Sequence, residues 1–219
     1  MPPNPQAQDA GPRWRLVVPI QDADRAKSRL VAPHGVHRAD LARAIGMDTV
    51  AAVCAALPPA SVTVVTSDPG AAAWAGQLGA RAVPDPGSGL NAAIRAGLED
   101  AAEQGPPASG WAVLLGDLPC LRPEDLGRAL ARAGAHERAV VPDADGSGTV
   151  LLTSTAGIPE PRFGAGSAAR HGVDATVLDL DLPRLRRDVD TADDLALALR
   201  LRVGPRTTAV LREAGAIPP

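Results

Sequence analysis

The sequence predicts an α/β domain built on a mostly parallel sheet, and three observations carry that prediction. Short apolar runs bounded by turn formers, among them Leu16-Val17-Val18 and Trp111–Leu115, read as strands buried on both faces. Helical periodicities separate these runs, and the order strand, helix, strand, helix, strand is that of parallel strands joined by crossover helices. Of the 219 residues 45% are hydrophobic but only 2% aromatic, so alanine, valine and leucine must fill the core through close packing of helices on a sheet.

Each element follows in turn. Residues 1–12, rich in Pro, Gln and Ala without periodicity, read as a disordered tail, and 13–219 as one domain. RWRLVVPI supplies the first strand and empties into a loop carrying Arg25, Lys27 and Arg29. Arg38–Leu57 reads as a long helix with Leu41, Ile45, Val53 and Leu57 on one face, stopped by Pro58-Pro59. Ser61–Ser67 is the second strand, a short alanine-rich helix runs to about Gly79, and Arg81–Val83 is the third strand. In PDPGSGLNAAIRAGLEDA, Gly87 and Gly89 permit close backbone approach and Ser88 stands ready to cap a helix that turns Leu90, Ile94, Gly97, Leu98 and Ala101 inward. The Trp111–Leu115 strand comes next, central in the sheet, then a helix from Pro123 to Ala133 and a strand at Arg138–Asp143. The turn Ala144–Gly148 leads into TVLLTS, a hairpin partner and so one antiparallel member. Gly164, Gly166 and Ser167 precede a short helix whose start suits an anion; Ala175–Leu182 is the last strand, and a helix capped by Thr191 or Asp190 follows. A short terminal helix is expected within residues 205–219.

Composition narrows the function. A net charge of −3 gives no reason to expect nucleic acid or an anionic membrane as partner, so an anionic ligand needs a local basic cluster. Cys54 and Cys120 stand far apart without CxxC spacing, which indicates neither zinc nor a disulfide framework. No run approaches a membrane span and the N-terminus lacks a signal peptide's apolar core, so a cytoplasmic protein is expected. His34, His37, His136 and His171 show no metal spacing and are expected at the surface or in local packing.

Four features fall at strand ends or helix starts. Arg25, Lys27 and Arg29 follow the first strand, where cations neutralise a triphosphate, although basic residues there are also ordinary solvated surface. The turn Gly87–Asn91 admits a base or ribose, with Asn91 in the helix's first turn, or is a plain glycine-rich connection. Asp117 sits where the central strand ends, as the cap of the helix begun by Pro123–Leu126 or as a metal ligand. Asp188 and Asp190, spaced by two in an extended segment, point the same way; capping explains Asp193 and Asp194 better than it explains Asp188. Together the four describe a site for a nucleoside triphosphate with Mg²⁺, and Thr149 faces the same pocket from the hairpin strand.

VVPIQDADRAKSRL, PGSGLNAAI, LLGDLPCL, FGAGSAARH and DVDTADDL resemble the motifs of the phosphoenolpyruvate/2-phospho-L-lactate guanylyltransferases of coenzyme F420 biosynthesis, relatives of the molybdenum-cofactor guanylyltransferases. The resemblance runs from Trp14 to about Leu201. It implies a three-layer Rossmann-like nucleotidyltransferase fold, helices on both faces of the sheet. The implied reaction joins GMP from GTP to a phospho-acid, most directly phosphoenolpyruvate, with 2-phospho-L-lactate or 3-phosphoglycerate as close rivals, and implies a downstream transferase of the pathway as partner. A molybdopterin acceptor would need a wider pocket. By this similarity Asp117, Asp188 and Asp190 ligate Mg²⁺, Lys27 and Arg29 hold the triphosphate beside Arg25, and Gly87, Gly89, Leu90 and Asn91 border the guanosine. Thr149, Gly164 and Ser167 match the acceptor-binding positions, and Lys27, Arg29 and Asp117 serve catalysis. One departure stands out: Gln21 occupies a place where the family carries lysine, the feature that would favour a non-catalytic nucleotide-binding module.

Overall fold

The computed structural model describes residues 11–21 and 30–218; Arg25, Lys27, Arg29 and most of the expected tail lie outside them. Seven strands form one sheet in the order β3-β2-β1-β4-β6-β5-β7. They are β1 (Trp14–Pro19), β2 (Val62–Val65), β3 (Arg81–Val83), β4 (Gly110–Leu114), β5 (Arg138–Pro142), β6 (Thr149–Ser154) and β7 (Thr176–Val177). The helices are α1 (Arg38–Ala56), α2 (Pro69–Gln77), α3 (Leu90–Gln104), α4 (Pro123–Ala133), α5 (Ser167–His171), α6 (Pro183–Arg186), α7 (Ala192–Leu201) and α8 (Pro205–Glu213). β1, β2, β3 and β4 run parallel, whereas β6 is antiparallel to both β4 and β5, as the hairpin turn requires. β4 is the middle strand of the seven, the place its unbroken apolar run demands.

Helices cover both faces. On one, Val17, Val65, Val113 and Leu152 meet Ala93, Ile94 and Leu98 of α3. On the other, Leu16, Val18, Val64, Ala112 and Leu114 pack with Val50 and Val53 of α1 and Leu126 and Leu130 of α4. Gly97 makes the α3 contact possible, since a Cβ there would stand 2.5 Å from Val65 and 2.6 Å from Val17. α1 is buried on two sides: Leu41 and Ile45 join a further core with Leu195 of α7 and Leu211 of α8. Hence its apolar residues are not confined to the single stripe expected from the sequence.

Two helix ends are completed by side chains from remote elements. Asp48 of α1 accepts the Arg206 and Thr207 amides at 3.0 and 2.9 Å, so it caps α8 in place of a local residue. Arg15 of β1 donates to the Ala101 and Gly105 carbonyls at 2.5 and 3.0 Å, placing its charge at the C-terminus of α3 while stacking over Trp111.

Three local expectations are corrected. Ala175–Leu182 forms only the two-residue β7, because pairing with β5 ends at Leu178 and the Leu182 amide then turns back to the Leu180 carbonyl ahead of Pro183. Short pairing is usual at a sheet edge. Ser88 does not cap α3: the N-cap is Gly89 at φ +93°, and Asp85 organises the turn by accepting the Gly87 amide at 2.8 Å. Gly166 leads into α5, but the Ser167 and Ala168 amides already donate to the Gly164 and Ser147 carbonyls, so those two are spent on the loop and not held open for an anion.

Replacing Asp48 with alanine strips two amides, one buried and one half-buried, of their acceptor. Asp48→Ala is expected to lower unfolding free energy by about 2 kcal/mol in denaturant titrations, whereas Asp40→Ala on the exposed face of the same helix should change it by less than about 0.5 kcal/mol.

Candidate active site

β1 and β4 lie side by side, yet the chain leaves β1 towards β2 and returns to its other flank only with β4. At such a reversal the crossover helices diverge and a cleft opens beyond the carboxyl ends of the strands. A cavity of about 580 Å³ occupies that place, lined by Ile20 and Gln21 after β1, by Gly116 and Asp117 after β4, and by Thr149, Gly164, Ser167, Asp188 and Asp190.

The turn bearing Asp117 is held at three backbone points. Thr49 of α1 donates its hydroxyl to Ile45 and accepts the Leu118 amide at 3.1 Å. The Val189 amide donates to the Asp117 carbonyl at 3.2 Å, and the Gly204 amide to that of Pro119 at 2.8 Å. Asp117 does not cap α4, whose N-cap is Arg122. The helix-cap reading of Asp117 therefore falls away. The Val189 bond brings the Asp188–Asp190 segment against the end of β4, and the Val189 side chain is fully buried between the two acids. Thr191 caps α7 in a reciprocal box with Asp194.

These acids act on one another electrostatically. The Asp188 carboxyl is pushed up to about 7, chiefly by burial and then by the negative charges of Asp117, Asp190 and Asp143. Asp143 also lines the cavity and shapes its rim, accepting the Ser147 and Gly148 amides. Among the described residues no three His, Cys, Asp or Glu side chains form a ready-made metal cluster. A hard divalent cation nonetheless suits this all-oxygen donor set, because Mg²⁺ commonly takes one or two carboxylates and completes its shell with substrate phosphate oxygens.

The residues expected beside the nucleotide divide. Leu90 lines the cavity, whereas Gly87 and Gly89 shape the turn behind it, at φ +75° and +93°. Asn91 uses both ends of its amide on one neighbour, accepting the Phe163 amide at 2.8 Å and donating to the Phe163 carbonyl at 3.1 Å. It thus braces the loop that carries Gly164.

Sequence reasoning assigned His171 no role beyond surface or packing, yet it is buried against Thr149 of the cavity wall. The Arg162 amide donates to its Nε2 at 2.9 Å, and Nδ1 lies 2.9 Å from the Thr149 hydroxyl oxygen. An amide N–H can only donate, so Nε2 holds the lone pair and the neutral ring carries its proton on Nδ1. Burial, followed by the Arg162 and Arg170 charges, pushes the imidazole down to about 4. The lone signal in the sequence was a histidine closing the FGAGSAARH motif.

The family model of the MobA-like NTP transferase domain matches residues 40–165. A phosphoenolpyruvate guanylyltransferase of Salinispora arenicola is 51% identical over 202 residues, covering 89% of this chain and 91% of its own. That of Thermomonospora curvata is 45% identical over 217 residues, covering 97% and 95%. Among solved structures, a cytidylyltransferase from Leptospira borgpetersenii superposes with a TM-score of 0.54 over 93% of this chain and 95% of its own at 12% identity, a likeness of fold.

The depressed titration of His171 has a thermodynamic consequence. Unfolded, the imidazole titrates near 6.5; folded, near 4. The unfolded chain therefore binds more protons between those values, so this contribution is whole above pH 6.5 and is lost as pH falls towards 4. The loss should reach up to about 3 kcal/mol. Denaturant midpoints measured through this window should fall less steeply in His171→Asn than in the parent.

Proposed function

The chain belongs to the phosphoenolpyruvate guanylyltransferase family within the MobA-like NTP transferases, and on that premise we propose that it transfers GMP from GTP to phosphoenolpyruvate, releasing diphosphate. A phosphate oxygen of phosphoenolpyruvate attacks the α-phosphorus of GTP. The bond to the β-phosphate breaks, and diphosphate leaves with the electron pair. The product, enolpyruvoyl-diphosphoguanosine, then passes to a downstream transferase of the F420 pathway.

The observation that carries this reading is the meeting of acidic and neutral donors in one cavity at the sheet's reversal. Asp117, Asp143 and Asp188 line it together with Thr149, Gly164 and Ser167. In this reading Asp117, Asp188 and Asp190 hold Mg²⁺, which when bound neutralises the triphosphate and the charge developing on the departing diphosphate. Leu90 and the turn from Gly87 to Asn91 border the guanosine. Arg25, Lys27 and Arg29, in the loop after β1, take the triphosphate. Thr149 and Ser167 offer hydroxyls, and Gly164 its backbone, to the acceptor. The attacking group is already a phosphate anion, so the protein has to position and to neutralise, and no strong general base is needed. That agrees with the character of His171, which is held neutral and does not line the cavity.

The direct test incubates the protein with GTP, Mg²⁺ and, separately, phosphoenolpyruvate, 2-phospho-L-lactate or 3-phosphoglycerate, following diphosphate release and product mass. Turnover is expected with phosphoenolpyruvate and should stop in excess chelator and return with added Mg²⁺. Silence with every acceptor would point to a binding module. Asp117→Asn should cut turnover by about a hundredfold or more while leaving the thermal midpoint within a few degrees of the parent.

A further inference from the structure

We propose that His171 is a positioning residue for the acceptor: its Nδ1–H holds the Thr149 hydroxyl oxygen so that the hydroxyl's own proton is presented to the cavity, while its Nε2 fixes the Arg162 amide at the head of the acceptor loop. The inference rests on the reading of Thr149, Gly164 and Ser167 as acceptor contacts and goes beyond it, because His171 itself does not line the cavity.

The donor count leads to it. The Arg162 amide claims the lone pair of Nε2, so Nδ1 is the protonated nitrogen and Thr149 Oγ1 the acceptor. Thr149 therefore cannot spend its proton on the ring, and among the described residues no other protein acceptor takes it. Thr149 is 1% exposed and β-branched at the start of β6, so its hydroxyl has little freedom to turn elsewhere. What remains is one neutral donor directed at an anion. The Ser167 hydroxyl, on a residue equally buried, lines the same wall.

The same imidazole also fixes the loop. The Phe163 ring meets it edge-on, centroids 5.0 Å apart, while Asn91 grips the Phe163 backbone from the opposite side. Arg162 and Phe163 are thus pinned between α3 and α5 immediately before Gly164. The Arg170 guanidinium reinforces the loop by donating to the Arg162 and Ala165 carbonyls. A neutral histidine is well fitted to both bonds, since one rigid ring supplies a donor and an acceptor in fixed directions.

Two substitutions separate its two bonds. His171→Asn can place an amide N–H near the position of Nδ1 and keep the donor to Thr149, losing Arg162. His171→Gln can reach the position of Nε2 and accept from Arg162, losing Thr149. Steady-state transfer from GTP to phosphoenolpyruvate should show KM for phosphoenolpyruvate raised about tenfold in His171→Gln, the worth of one hydrogen bond to an anion, and no more than about threefold in His171→Asn. KM for GTP should stay within about twofold in both, a split that simple loosening of the fold would not give. Thr149→Val with His171→Gln should be no worse than Thr149→Val alone, because His171 acts through that hydroxyl. Nitrogen NMR of the parent's imidazole needs no variant: it should report the Nδ1-protonated tautomer, with signals that shift when phosphoenolpyruvate is added. Equal effects of the two substitutions, additivity of the double variant, or the Nε2-protonated tautomer overturns the positioning role while transfer by the parent stands. A parent that transfers GMP to none of the acceptors removes the functional reading and this inference with it.

Discussion

The backbone bond from Val189 to the Asp117 carbonyl is the contact on which the site depends. Carboxylates repel and are costly to take out of water, so their own interactions cannot gather Asp117, Asp188 and Asp190. The fold gathers them by groups that are neutral. Val189 buries its side chain in the core beside α7 and α8, and chain alternation then sends the residues on either side of it towards the cavity. Thr49 and Gly204 hold the turn on the β4 side by the same means, one through a hydroxyl and the other through an amide. Like charges are held together here by hydrophobic burial and peptide hydrogen bonds, and the strain appears as the raised titration of Asp188.

The helices that deliver these groups are themselves fixed by long-range polar contacts. Asp48 joins α1 to the start of α8, and α8 covers the outer side of the helix that carries Thr49. Gly204, which donates to Pro119, also lies against Asp48, since a Cβ there would stand 2.3 Å from the carboxyl carbon. One buried acid therefore ties the last helix to the turn after the central strand. On the other face, Arg15 secures the end of α3, and Asn91 at its beginning braces the loop before Gly164. α3 and the loop before Gly164 are in consequence mechanically one piece.

What the sequence made legible, and what it concealed, follows from the range of the interactions. Short apolar runs marked β1, β2 and β4 because a strand buried on both faces is mostly apolar, and α4 was delimited by Pro123 and Gly134. Asp117 stood out because the break from apolar run to Gly-Asp is local. The strand expected over 175–182 was a false signal: alternating leucine and aspartate imitate a pleat, but Leu178 and Leu182 are buried by a turning chain. Ser88 looked like a cap by type, yet the backbone at Gly89 takes a left-handed conformation that glycine alone accepts easily. Asp48, Arg15 and the double use of Asn91 could not be seen, since each depends on a partner distant in sequence. His171 was hidden for the same reason, for its meaning lies wholly in Thr149 and Arg162.

Charge finally constrains how such a cavity can accept two anions. Asp117, Asp143, Asp188 and Asp190 all line it, and Gln21 at the end of β1 brings no positive charge to it. A triphosphate entering there meets repulsion unless cations from the loop after β1 and a divalent metal come with it. Thr149, Gly164 and Ser167 offer hydroxyls and peptide groups to the same cavity, beside an Asp143 carboxylate that already accepts the Ser147 and Gly148 amides. A fixed cation beneath Thr149 would attract either phosphate-bearing substrate indiscriminately; a neutral imidazole that only orients a hydroxyl discriminates by geometry. Holding His171 uncharged between Arg162 and Arg170 therefore does more than avoid a buried charge. In the proposed reading it leaves the acids, once neutralised, as the stronger anchor for the nucleotide, and the oriented Thr149 hydroxyl for the smaller acid.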